Sequence, residues 1–321
     1  RIWKESGRTF IAFHFAAFGT IAGTFIATFL FHRHIPEMRG VLAMLCGSYI
    51  GGSLNLAAMK EVFTVSPGMT GAVIVADNFL MALYFFVLMS LPTLGFFRGR
   101  YEISREPREA KPASAENASE KGENRAARFW GRREISLMDI AGSVAVTFII
   151  VTTGTKLAGL IGASALPGFV RTLLGQKYLM ITTLTVLGAT FFPGFFGALG
   201  GAREIGTFFI HIFFVVIGVP ASFSMILSRS PLLFAYAAIV IFVNMAVTLG
   251  LGKLFGFDLE ELMVSCNATV GGPTTAAAMV IAKGWNDLVV PALLVGIWGY
   301  VIGNYAAIVT AGYLGTLLSL P

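Results

Sequence analysis

A carboxylate, Asp77, lies inside a long apolar run, Thr70-Gly-Ala-Val-Ile-Val-Ala-Asp77-Asn78-Phe-Leu-Met-Ala-Leu-Tyr84, that contains no basic residue. An ionisable group at membrane depth is costly to keep and marks an ion or proton pathway by default. Asp77 could ligate Na⁺ or carry a proton, and Asn78 could add a carbonyl ligand. The plainer alternative is a structural hydrogen bond between helices.

Two glycine-polar runs inside other apolar stretches supply further chemistry. The first is Ser48-Tyr-Ile-Gly51-Gly52-Ser53-Leu-Asn55-Leu-Ala57-Ala58-Met59. The second is Ala268-Thr269-Val-Gly271-Gly272-Pro273-Thr274-Thr275-Ala-Ala277-Ala278-Met279. An offset of 220 positions, which lays Gly52 on Gly272, also matches Gly51, Ala57, Ala58 and Met59, and lays Cys46 on Cys266. Glycine pairs next to Ser, Asn, Thr and Pro make poor continuous helix. In a bilayer such a break survives only where protein or a water-filled cavity satisfies the freed backbone groups. Two breaks at matching places in two halves point to a transporter's binding site. Half-helix N-termini suit an anionic group, and unwound carbonyls near Gly51 and Gly271 suit a cation. Ser48, Gly52, Ser53, Asn55, Asn267, Thr269, Gly272, Pro273, Thr274 and Thr275, with Asn304 further on, are the candidates for holding a small polar solute. Small residues that merely let helices pack closely would explain the glycines but not the clustered Asn and Thr.

These residues need elements that reach membrane depth. Of 321 residues, 56% are hydrophobic and only 12% are charged, and the mean hydropathy is +0.78. Apolar runs of about 20 residues recur, the length of a spanning helix. The segments are expected at 9–31, 40–62 (broken near Gly52), 69–97, 137–162, 177–199, 204–227, 231–254, 260–283 (broken near Gly272) and 287–317. This is an all-α polytopic membrane protein with two structural repeats, each carrying a discontinuous helix. Its first half runs over 1–97 and its second over 137–321. Whether the repeats are parallel or inverted stays open, because six crossings would separate the two breaks.

Residues 98–136 differ in kind. They carry ten of the 23 basic residues against seven glutamates, with no apolar period. That composition reads as a flexible linker, and its Arg and Lys place it in the cytoplasm. The net charge of +6 is thus a matter of topology and anionic lipid, not of nucleic acid. Cys46 and Cys266 read as buried free thiols. His14 and His211 read as neutral, hydrogen-bonded histidines. The absence of an initiator Met at Arg1 suggests a further N-terminal portion. No sequence pattern of a protease, metalloenzyme or ATPase occurs. No cofactor beyond a Na⁺ ion is implied, and uphill transport would have to be ion-coupled.

Asn267-Ala-Thr-Val-Gly271-Gly272-Pro273-Thr-Thr-Ala-Ala-Ala, Ala282-Lys-Gly-Trp285 and Leu288-Val-Val-Pro291-Ala-Leu-Leu-Val-Gly296 resemble the DUF819 integral membrane proteins. So do Gly47-Ser48-Tyr-Ile-Gly51-Gly52-Ser53-Leu-Asn55 and Ala76-Asp77-Asn78. The resemblance covers essentially the whole chain. It implies a remote relation to cation–proton antiporters, bile-acid symporters and glutamate–sodium symporters. The implied architecture is a panel domain, often dimerising, and a core in which 40–62 and 260–283 cross as discontinuous helices. Asp77 would belong to the core. The chain lacks the antiporters' paired aspartates, which favours symport of a small polar or anionic solute. A bacterial inner membrane and a homodimer are the corresponding expectations.

Overall fold

The computed structural model describes residues 2–104, 135–168, 171, 174–218 and 223–320. The described residues are almost entirely helical, with no strand among them. Five of their helices are long and apolar enough to cross a membrane: Ser6–Phe31, Pro67–Thr93, Leu137–Gly162, Pro231–Leu254 and Asn286–Leu317. The middle of the expected linker, 105–134, lies outside the described residues.

The chain divides into two compact units, Arg1–Gly131 with Ala221–Pro321, and Arg132–Pro220. In the first, four long helices carry the frame: α1 (Ile2–Phe31, kinked at Gly7), α4 (Pro67–Ser90), α8 (Phe223–Leu254) and α11 (Val289–Leu317). Between α1 and α4 come α2 (Met38–Gly51) and α3 (Ser53–Val62). Between α8 and α11 come α9 (Leu259–Val270) and α10 (Gly272–Ala282).

Side-chain contacts fix the directions. α1 and α11 run in step, with Phe10 against Trp298 and Phe25 against Tyr313. α1 and α8 run oppositely. A methyl group at Gly19 would lie 2.9 Å from the Asn244 Cα, and one at Gly23 would lie 2.8 Å from the Val240 Cα. Glycines four apart let two helix backbones approach this closely. α4 starts beside Glu37, whose carboxylate accepts from the Ser66 backbone N–H and hydroxyl at 2.7 and 2.6 Å. It ends where Lys283 donates to the Met89 carbonyl at 2.8 Å.

The short helices correct one expectation. Segments 40–62 and 260–283 do not pass through as crossing helices; each doubles back. In a continuous helix Gly47 and Met59 would be about 18 Å apart, yet a methyl at Gly47 would lie 3.3 Å from the Met59 Cγ. Nearer the base, Gly40 packs on Val65 and Phe63. In the second pair, the Asn267 amide reaches the Met279 sulfur at 3.6 Å. The physical reason is the glycine at each turn, Gly52 with φ +76° and Gly272 with φ +77°, where the chain reverses in a conformation that L side chains rarely adopt. The hairpins enter from opposite ends of α11. The first has its base at Arg39 against Gly315; the second returns through Ala282 to the start of α11.

In the second unit, α5 (Leu137–Gly162) opens on a capping box between Ser136 and Asp139. It packs on α6 (Lys177–Phe191) through Gly154 and Ile181. α7 covers Ala202–Gly218. Residues 219–222 of the segment expected at 204–227 lie outside the described residues, and the next described helix starts at Phe223 and continues through Pro231. Leu137, Met138, Phe148 and Leu160 are largely exposed, as suits side chains that face lipid. His211 is exposed, with Nδ1 2.6 Å from the Thr207 carbonyl. Glu204 is half-buried.

Candidate functional site

The two hairpin tips meet. A methyl at Gly52 would lie 3.8 Å from the Gly272 Cα and 3.4 Å from the Tyr300 ring. One at Gly272 would lie 3.5 Å from the Tyr300 hydroxyl. Tyr300, on α11, therefore borders both turns. Three glycines on the same helix seat the tips: Gly296 lies under Pro273, Gly299 under Ile50 and Gly51, and Gly303 under Asn55 and Gly47. Gly299 also accepts a 3.4 Å hydrogen bond from the Asn55 amide.

The tips are built alike. Asn55 folds over Gly51, and Thr275, 220 positions on, folds over Gly271. The Thr275 hydroxyl donates to the Gly272 carbonyl at 3.2 Å, and the Asn267 amide donates to the Thr275 carbonyl at 3.0 Å. Neither α3 nor α10 has a side-chain N-cap. Both present a bare positive dipole end at the meeting point. Ser53 and Thr275 are half-buried there and Thr274 is exposed. Asn304 is buried one turn beyond Tyr300, with its Oδ1 unpartnered.

Asp77 sits on α4 against the first arm of the first hairpin. Its Oδ1 accepts from the Ser48 hydroxyl at 3.0 Å, and both residues are buried. The buried Tyr49 hydroxyl faces the same carboxyl without reaching hydrogen-bond geometry. Among the described residues no basic side chain pairs with Asp77. Asn78 is exposed. Consecutive helical side chains point about 100° apart, so Asn78 does not join Asp77 against the hairpin.

Tyr300, outside the expected set, joins this group, and so does Asn244, which its place inside a membrane segment already made a candidate to line the cavity. Tyr300 was hidden in a run where Gly296, Gly299 and Gly303 were the available signal. Asn244 on α8 is fully buried, accepting from the Tyr84 hydroxyl at 2.9 Å, with the two N–H groups of its amide shared among the Ala16 carbonyl at 2.8 Å, Thr20 at 2.9 Å and Thr269 at 3.3 Å. Cys46 and Cys266 are buried free thiols. His14 pairs through Nδ1 with the Phe10 carbonyl and accepts from Trp298 at 3.3 Å. The start of the linker is anchored beside α9, where Leu259 donates to the Glu102 carbonyl and Ser104 to Asp258.

An L residue at Gly52, with φ +76° and ψ 178°, costs about 1–3 kcal/mol in backbone strain. Gly52→Ala should therefore lower the thermal midpoint of the purified protein. Ser53→Ala next to it, half-buried with no cap to lose, should leave the midpoint unchanged. A tolerated Gly52→Ala would mean that the turn is not held in this conformation.

Residues 1–317 match the family described as protein of unknown function DUF819. The chain belongs to the DUF819 family. It is 42% identical over 318 residues to the uncharacterized membrane protein YjcL of Bacillus subtilis (strain 168), covering 99% of this chain and 78% of that one. No solved structure matches. The relative and the membrane-length helices agree that this DUF819 protein is a membrane protein.

Proposed function

We propose that this DUF819 protein is a secondary active transporter that moves a small polar or anionic organic solute, coupled to Na⁺ or H⁺, by alternating access. The observation that carries the reading is the meeting of two uncapped hairpin tips at Gly52 and Gly272, entered from opposite ends of α11. The order long helix, hairpin, long helix occurs twice, as α1–α2–α3–α4 and α8–α9–α10–α11. α1 and α8 run oppositely. This supports inverted repeats around a shared midplane site, a plan common among ion-coupled carriers.

Asp77 would take the coupling cation, with hydroxyl or carbonyl oxygens from the first hairpin. The bare N-termini of α3 and α10 would draw the anionic part of the solute, with Ser53, Thr274, Thr275 and Tyr300 around it. Asn55 and Asn267 would shape the tips. Parting of the hairpins would open the site first to one side and then to the other. All these residues lie in the first unit, which would act as the core. The Arg- and Lys-rich linker would be cytoplasmic, in a bacterial inner membrane.

The test is uptake into proteoliposomes from a panel of amino and organic acids under imposed Na⁺ or proton gradients. Saturable uptake that needs the gradient is expected. Gradient-driven proton flux that no organic solute alters would instead indicate a cation/proton antiporter. Absence of any flux would leave a receptor or scaffold and overturn the transport reading.

A further inference from the structure

We infer that Asn244 is a positioning residue that couples the state of the Asp77 site to the tip of the second hairpin; this rests on the cation role proposed for Asp77. Two routes join Asp77 to Asn244. Along the first, Ser48 donates to Asp77, and the next residue, Tyr49, accepts from the Thr20 hydroxyl through its carbonyl at 2.8 Å. The Thr20 oxygen in turn accepts from the Asn244 amide at 2.9 Å. Along the second, Tyr84 stands seven residues beyond Asp77 on α4, on the same helix face, and donates to the Asn244 Oδ1 at 2.9 Å. Beyond Asn244 the amide reaches the Thr269 hydroxyl at 3.3 Å. Thr269 donates to the Cys266 carbonyl and lies two residues before Gly271, at the second turn.

The direction of this chain is fixed. Thr20 has one proton, and it goes to Tyr49, so Thr20 can only accept from Asn244. Thr269 spends its proton on Cys266 and likewise only accepts. Among the described residues Asn244 is the side chain that faces both; its two N–H groups serve three acceptors, the Ala16 carbonyl at 2.8 Å, Thr20 at 2.9 Å and Thr269 at 3.3 Å, so they are shared and the reach to Thr269 is the longest. A buried network of satisfied groups resists partial breakage, because each orphaned member loses a bond that water cannot replace. A shift of the first hairpin arm when Asp77 changes state would therefore be felt at Thr269. The titratable groups around this path are Tyr49, facing Asp77 from α2, and Tyr84 with Cys266 at the far end.

Two reporters read the coupling. Leu54→Cys lies at the first tip and Thr274→Cys at the second, both at exposed positions, while the native thiols are buried. Maleimide labelling rates of the full chain in proteoliposomes are compared in NaCl and choline chloride, and at low and high pH. Both reporters should respond to the same ion. Thr20→Val and Asn244→Leu should each cut the response at Thr274→Cys by about fivefold or more, with the response at Leu54→Cys retained. Thr20→Val is nearly isosteric and keeps the test informative if Asn244→Leu fails to fold. A Thr274→Cys response that survives Thr20→Val, or equal loss at both reporters, overturns the inference. A response confined to Leu54→Cys in the parent keeps the Asp77 site and overturns the coupling. No response at either reporter overturns the Asp77 reading and the inference with it.

Discussion

Asp77→Asn is expected to abolish ion-driven uptake and to erase cation-dependent stabilisation of the purified protein, while the protein stays folded. Asparagine keeps the side-chain shape and an oxygen that can accept from Ser48, whose hydroxyl lies 3.0 Å from the carboxylate. What it loses is the charge and the exchangeable proton. A ligand bound only to the folded state stabilises it by mass action, about 2.7 kcal/mol at a hundred times its Kd. The thermal midpoint of the wild type should therefore rise in NaCl over choline chloride if Na⁺ is the coupling ion. If the ion is a proton, the midpoint should depend on pH through this group. In both cases the dependence should vanish in Asp77→Asn. Full uptake by the variant would remove Asp77 from the mechanism and leave its hydrogen bond a packing feature.

The second large effect lies at Gly299. A methyl there would sit 2.5 Å from the Ile50 carbonyl oxygen and 3.3 Å from the Gly51 Cα. These are backbone atoms of the first tip, which cannot give way without moving the hairpin. Overpacking costs about 1–3 kcal/mol where side chains can yield, and more is expected where they cannot. Gly299→Leu should thus sharply reduce the folded fraction recovered by size-exclusion chromatography. Gly312→Leu, on the same helix with open space around it, should be recovered like the wild type. Equal recovery of the two would mean that α11 and the first hairpin are not in contact at Gly51.

The positions of the chain interruptions were legible because a glycine pair flanked by Ser, Asn, Thr or Pro is a local signal. The direction taken after each interruption was not. A kinked helix and a hairpin share the same local composition, and only long-range contacts such as Gly40 with Val65 separate them. For Asn244 the place inside a membrane segment was legible, but the partners were not. In Val240-Ile-Phe-Val-Asn244 it is one amide in an apolar run, and its partners come from α1, α4 and α9. Asn78 shows the converse error, since adjacency to Asp77 in sequence is not adjacency on a helix. Asp77 itself was readable because a lone carboxylate in apolar surroundings is costly and needs a reason.

Two hairpins enter from opposite ends of α11 and meet at Gly52 and Gly272, the feature on which the proposed mechanism rests. Their bases can be sided directly. Thr64→Cys lies at the base of the first and Ala282→Cys at the base of the second, both exposed. With a membrane-impermeant maleimide, Thr64→Cys should label in intact cells and Ala282→Cys only after permeabilisation. Labelling of both from the same side would contradict the opposed hairpins, and with them the alternating-access mechanism.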